Sequence, residues 1–243
     1  MLHPHLACDE LSVAITLALP PKQPRLRVLC CHGYAGGARR FETKTAKALL
    51  AHPSIADLLD VAAVDGPHAV DAPHQRAHWL YDPPFPLSER DRQPAFWALA
   101  EAEYVGADEG IASLAAAWHA DRFDGILGFS QGAGAAALLA ATLERAAATR
   151  PPKFLVLCAG FRDPRPSNPA LGWWRNAPDA ALATPALVLV GDRDTQTPER
   201  QARALAALFR DATVRVCAGL QHAMPTRAQD IEAVASFLRN YLQ

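Results

Sequence analysis

The chain has 243 residues, half of them hydrophobic and a fifth charged, with a formal net charge of −1. Those values suit a single globular domain over residues 1–243 with a sizeable core. They provide no basic footprint for nucleic acid, and no apolar run approaches the length of a membrane span.

The opening stretch, "MLHPHLACDE", has no Lys or Arg before its apolar run and carries Asp9 and Glu10, so it makes a poor signal peptide. Leu11, Val13, Ile15, Leu17 and Leu19 then alternate with smaller or polar residues. That is the period of a half-buried strand, placed in an N-terminal extension over residues 1–25. Prolines 20, 21 and 24 break it. "RLRVLCCHG" is continuously apolar instead, as expected of a strand buried on both faces. Phe41, Thr45, Ala48 and Leu49 share one helical face. Further buried strands are expected at 61–64, 126–129, 154–158, 187–190 and 214–217. Helical patterns lie between and after them: Ile111, Leu114 and Trp118; an alanine-rich run over 131–148; Ala204, Leu205 and Leu208; and Ile231, Val234, Leu238 and Leu242. Strands alternating with helices predict an α/β fold, a mostly parallel sheet with helices on both faces.

Two excursions interrupt that rhythm, a proline- and aromatic-rich cap over 65–108 and a second irregular stretch over 161–178. Both follow strands and fall on the side where open α/β sheets bind ligands. Aromatic residues in such loops more often pack the loop than touch substrate. Trp79, Tyr81, Phe85, Phe161 and Trp173 are the candidates for an apolar pocket wall that would favour an uncharged acyl chain.

Chemistry enters at "ILGFSQGAG", residues 126–134. Gly128-Phe129-Ser130-Gln131-Gly132 fits G-x-S-x-G, in which a strand turns sharply into a helix and lifts the serine above the sheet. A serine hydroxyl is a weak nucleophile at neutral pH and needs a base, which in turn needs an orienting acid. His222, in "CAGLQHAMPT", is the only histidine after Ser130, which makes it the base. Asp192 and Asp194, in "LVLVGDRDTQTPE", compete for the acid. Upstream, "VLCCHGYAGG" places a glycine-rich loop after a strand, suited to donating a backbone N–H to an oxyanion. His32 in that loop reads as a structural hydrogen-bonding residue. Asp71, His74 and His78 read as solvent-exposed loop residues, so no metal site is expected. The chain has five cysteines; Cys30, Cys31, Cys158 and Cys217 lie in apolar runs and read as small hydrophobes in a reduced, cytoplasmic protein.

Taken together, His32-Gly33-Tyr34, Phe41, Lys44, GFSQG, "CAGF", "GDRD" and His222 resemble the FSH-type serine hydrolases. That group of the α/β-hydrolase superfamily includes fungal thioesterases acting in polyketide synthesis. The resemblance runs from about residue 26 to the C-terminus. It implies hydrolysis of a carboxylic ester or thioester, free or carrier-bound, with Ser130, Asp194 and His222 as triad and no cofactor. The backbone N–H groups of Tyr34 and Gln131 are the expected oxyanion donors. Two rivals share the fold: a peptidase, and a catalytically silent ligand-binding homologue. The second usually lacks a triad member, and none is missing here.

Overall fold

In the computed structural model, which describes residues 25–72, 74–82, 103–146, 150–162 and 177–242, six apolar segments form one wholly parallel sheet. They are β1 (Leu26–Cys31), β2 (Leu59–Val64), β7 (Gly125–Phe129), β8 (Phe154–Cys158), β9 (Ala186–Gly191) and β10 (Ala212–Cys217). Their order across the sheet is β10-β9-β8-β7-β1-β2. The inner strands are apolar at consecutive positions because each face carries its own core. Leu155 and Leu157 of β8 point to one side, and Phe154, Val156 and Cys158 to the other. Only the edge strands β2 and β10 leave most of their residues partly or fully exposed.

One face is covered by α3 (Ala107–Ala120), α4 (Gln131–Arg145) and α5 (Glu199–Ala206). The other is covered by α1 (Ala38–Thr45), a π-helical turn (Ala46–Leu50), the short α2 (Pro53–Ala56) and the C-terminal α6 (Ala228–Arg239). The helix faces read from sequence match in kind: Phe41, Thr45 and Leu49 are buried, as are Ile111, Leu114 and Trp118, and Ile231, Val234 and Leu238. α4 lies at the middle of the fold, and Ala133 through Ala141 are buried, apart from Gly134 all Ala or Leu. Small side chains let this helix approach the sheet closely. At its far end Glu144 accepts the backbone N–H groups of Ala183 and Thr184 at 2.9 and 2.8 Å, fixing the chain that enters β9.

The 65–108 excursion is more regular than its composition suggests. His68–Ala69 (β3) pairs antiparallel with Arg76–Ala77 (β4), and Leu80–Asp82 (β5) pairs with Glu103–Val105 (β6). Strands of two or three residues are too short for any periodicity to reveal. The alternating run at 11–19 lies outside the described residues, as do Phe85 and Trp173.

Candidate active site

Because all six strands run parallel, their carboxyl ends share one edge of the sheet, where loops from distant parts of the chain converge. Ser130 stands between β7 and α4 at φ 55°, ψ −121°, a conformation that side-chain-bearing residues rarely adopt. The flanking glycines explain how the turn is built. A Cβ on Gly132 would come 2.1 Å from the Cys31 carbonyl oxygen, and one on Gly128 would come 2.5 Å from that of Gly132. Any side chain at either position collides with backbone. The turn is pinned by the Ser130 N–H donating to the Cys158 carbonyl at 2.9 Å.

The hydroxyl so raised meets the loop after β10. Ser130 Oγ lies 2.9 Å from His222 Nε2, and His222 Nδ1 lies 2.8 Å from Asp194 Oδ2. The Asp194 side chain is wholly buried. Its second oxygen accepts the N–H groups of Gln196 and Thr197 at 2.9 and 2.7 Å, so the carboxylate is held in place from both sides. Such a carboxylate accepts a hydrogen bond from Nδ1–H, which fixes the proton on Nδ1 and leaves Nε2 bare toward the serine. Asp192 is exposed and accepts instead from the Gly219 N–H at 2.6 Å, bracing the turn between β10 and the His222 loop. The competition between the two acids is therefore resolved by geometry. Asp194 faces the histidine.

The glycine-rich loop after β1 is fixed through His32. Its Nδ1 donates to the Gly33 carbonyl at 2.8 Å, and its Nε2 accepts the Gly66 N–H at 2.9 Å, a pattern that requires the neutral ring. Burial lowers its pKa in agreement. The loop then turns through a Gly36 N–H to Gly33 carbonyl bond and is tied to β4 by the Arg76 N–H donating to the Gly36 carbonyl. His78 differs from its sequence reading. It is wholly buried rather than solvent-exposed, its ring stacked on His32 with centroids 4.7 Å apart, and burial pushes its pKa well down. Asp71 and His74 are exposed, and no group of three or more metal-binding side chains forms among the described residues.

Gln131 has a role that its motif position did not disclose. Its backbone N–H opens α4 and belongs to the first turn, which lacks intrahelical acceptors. Its buried side chain also accepts the His78 N–H and donates to the Trp79 carbonyl, both at 2.9 Å. In doing so it substitutes for a strand partner and joins the serine turn to the cap.

Beside these groups opens a cavity of about 750 Å³. Gly33, Tyr34, Phe41, Phe129, His222 and Met224 line it, together with Arg40, Lys44 and Lys47 on the α1 side. Phe129 bridges the two sides, its ring 5.1 Å from His222 and 6.4 Å from Phe41. The aromatic wall read from sequence is corrected here. Trp79, Tyr81 and Phe161 are 1%, 5% and 3% exposed, belong to the core, and are not among the residues lining the cavity. Trp79 stacks on Tyr104 at 4.8 Å and Tyr81 meets Tyr104 edge-on at 5.6 Å, because β5–β6 pairing turns these rings inward. The cysteines also sit inside: Cys30, Cys31, Cys158 and Cys217 are free and buried, and desolvation pushes the Cys31 thiol up to about 12.

A parallel sheet of this order, with a strained serine elbow and a histidine and an aspartate on later strand ends, defines an α/β-hydrolase. A model of the FSH1 serine hydrolases matches residues 22–234, and the chain belongs to that family. It is 32% identical to Esterase OVCA2 of Bos taurus over 234 residues, covering 90% of this chain and 98% of the relative. With Esterase OVCA2 of Homo sapiens the identity is 30% over 243 residues, covering 91% and 99%. Among solved structures, esterase PE8 superposes with a TM-score of 0.60 at 20% identity, covering 90% of this chain and 94% of that one. Zea mays acyl-protein thioesterase 2 superposes with a TM-score of 0.59 at 16% identity, covering 93% and 97%. At those identities the likeness is one of fold.

Proposed function

We propose that this serine hydrolase cleaves carboxylic esters or thioesters through a covalent acyl-enzyme at Ser130. The observation that carries the reading is the unbroken hydrogen-bonded series from Asp194 through His222 to Ser130, at 2.8 and 2.9 Å. As the serine oxygen attacks the carbonyl carbon, its proton passes to His222 Nε2. Asp194 holds the ring in the tautomer that can accept it and stabilises the resulting imidazolium. The negative charge gathering on the carbonyl oxygen is met by the N–H groups of Tyr34 and Gln131. His222 then returns the proton to the departing alcohol or thiol. Water, activated by the same histidine, releases the acid and restores the serine. The reaction so written calls for no cofactor, and the family relatives named as esterases support its class.

Phe41, Phe129 and Met224 in the cavity favour a hydrophobic acyl chain of short to medium length. Each buried methylene contributes about 0.8 kcal/mol, nearly fourfold in rate, until the apolar wall is covered. The test is a p-nitrophenyl ester series from two to twelve carbons, with matched thioesters. kcat/KM is expected to climb from acetyl toward medium chains and then flatten. A maximum at acetate would remove the apolar subsite and leave the serine chemistry standing.

A further inference from the structure

The cavity is not uniformly apolar. Arg40, Lys44 and Lys47 line it together, and no Asp or Glu is among its described lining residues. Their spacing of four and then three residues places them along one face of α1 and its π-turn, a row about 10 Å long at about 1.5 Å per residue. The bland explanation, a solvated cationic surface, fits this chain poorly. Its net charge is −1, and it contains only four lysines: Lys22, Lys44, Lys47 and Lys153. Two of the four stand in the one cavity that also receives His222. Arg40 and Lys47 form no ion pair among the described residues, although the chain pairs many of its other arginines with carboxylates, as Arg27 does with Asp60 and Asp121. Phe41 and Ala48 interleave with the cations on the same wall. The lining therefore has an apolar stretch continuous with a cationic one.

We propose that the substrate carries an anionic group, a carboxylate or phosphate, which the Arg40–Lys44–Lys47 row binds while the scissile carbonyl sits at Ser130. This rests on the ester or thioester hydrolase reading and specifies its substrate class: an amphipathic molecule, apolar near the carbonyl and anionic beyond it. The anion belongs either to the far end of the acyl chain or to the leaving alcohol or thiol. An exposed ion pair contributes at most about fivefold, so the row together gives about tenfold or more at low salt. The gain declines as salt shortens the screening length to about 10 Å and below.

Two matched pairs of substrates separate the sources. For the acyl side, mono-p-nitrophenyl glutarate is compared with p-nitrophenyl valerate. For the leaving group, S-butyryl 4′-phosphopantetheine is compared with S-butyryl pantetheine, which lacks only the phosphate. The expected result is a kcat/KM about tenfold or more in favour of the anionic member of at least one pair. That ratio falls on adding salt and collapses toward unity in Arg40→Gln/Lys44→Gln/Lys47→Gln. Fluorophosphonate labelling of the variant confirms an intact fold. Ratios at or below unity in both pairs overturn the proposal, as does a ratio that survives the triple substitution. Hydrolysis of neutral members with flat ratios removes the anion site alone; hydrolysis of none of the four removes the underlying reading as well.

Discussion

At Asp194 and Asp192, two residues apart, identical side chains have different work. Asp194 is buried, accepts two backbone N–H groups and meets His222 Nδ1, whereas Asp192 is exposed and braces Gly219. Asp194→Asn replaces an acceptor with an amide that can hold the wrong tautomer, and is expected to cost about four orders of magnitude in kcat, as in serine proteases. Asp192→Asn is expected to cost far less and to act through stability. Steady-state kinetics of the two variants checks this, and reversed costs would exchange the roles. Sequence order and a strand-end position narrowed the acid to this pair, and the family pattern favoured Asp194. Backbone amides that only the folded turn assembles make the difference physical. The second role of Gln131 was hidden for the same reason, since its partners at 78 and 79 lie over fifty residues upstream.

The elements were legible where their periodicity was strong. Runs apolar on both faces predicted the inner strands, and the 154–158 strand falls where Phe154–Cys158 is observed. The cap was not legible, because β3 to β6 are two or three residues long and their aromatics give no sign of which way they face. Packing decided it: Trp79 and Tyr81 turn toward Tyr104, and the cavity wall falls to α1 and its π-turn, whose Arg40 and Lys47 look in sequence like any solvated helix face. The junction of β7 and α4 depends on Gly132. Gly132→Ala drives a methyl to 2.1 Å from the Cys31 carbonyl oxygen, closer than any real contact, so α4 must move. The expected loss is about 1–3 kcal/mol in stability, the usual cost of overpacking. It should come with a drop in kcat, because Ser130 moves with the helix. Denaturant unfolding and kinetics on one preparation check both, and unchanged stability would mean that the turn is looser than its geometry implies.

Across the whole molecule, the buried, stacked His32–His78 pair joins the glycine-rich loop after β1, the cap and α4, the last through the His78 backbone N–H to Gln131. Burial lowers both pKa values, with His32 adding to the effect on His78. In the unfolded chain each ring takes a proton near about 6.5. The unfolded state therefore binds more protons below that pH, and the stability associated with the neutral pair is whole above it and lost as pH falls toward the folded values. A histidine that stays neutral in the fold across that window contributes a slope of up to about 1.4 kcal/mol per pH unit. His78→Phe keeps a ring on His32 and removes one titration, so its stability is expected to fall less steeply between pH 6.5 and 5, by about that slope. Equal slopes in urea unfolding across the window would show that His78 is not a proton-linked part of the fold.

The central claim is that one serine, placed by the β7–α4 turn, is the nucleophile. A fluorophosphonate probe followed by peptide mapping tests it most directly. The expected result is one adduct per chain, on Ser130, lost in Ser130→Ala together with ester turnover. An adduct on any other serine, or turnover that persists in Ser130→Ala, would contradict the account.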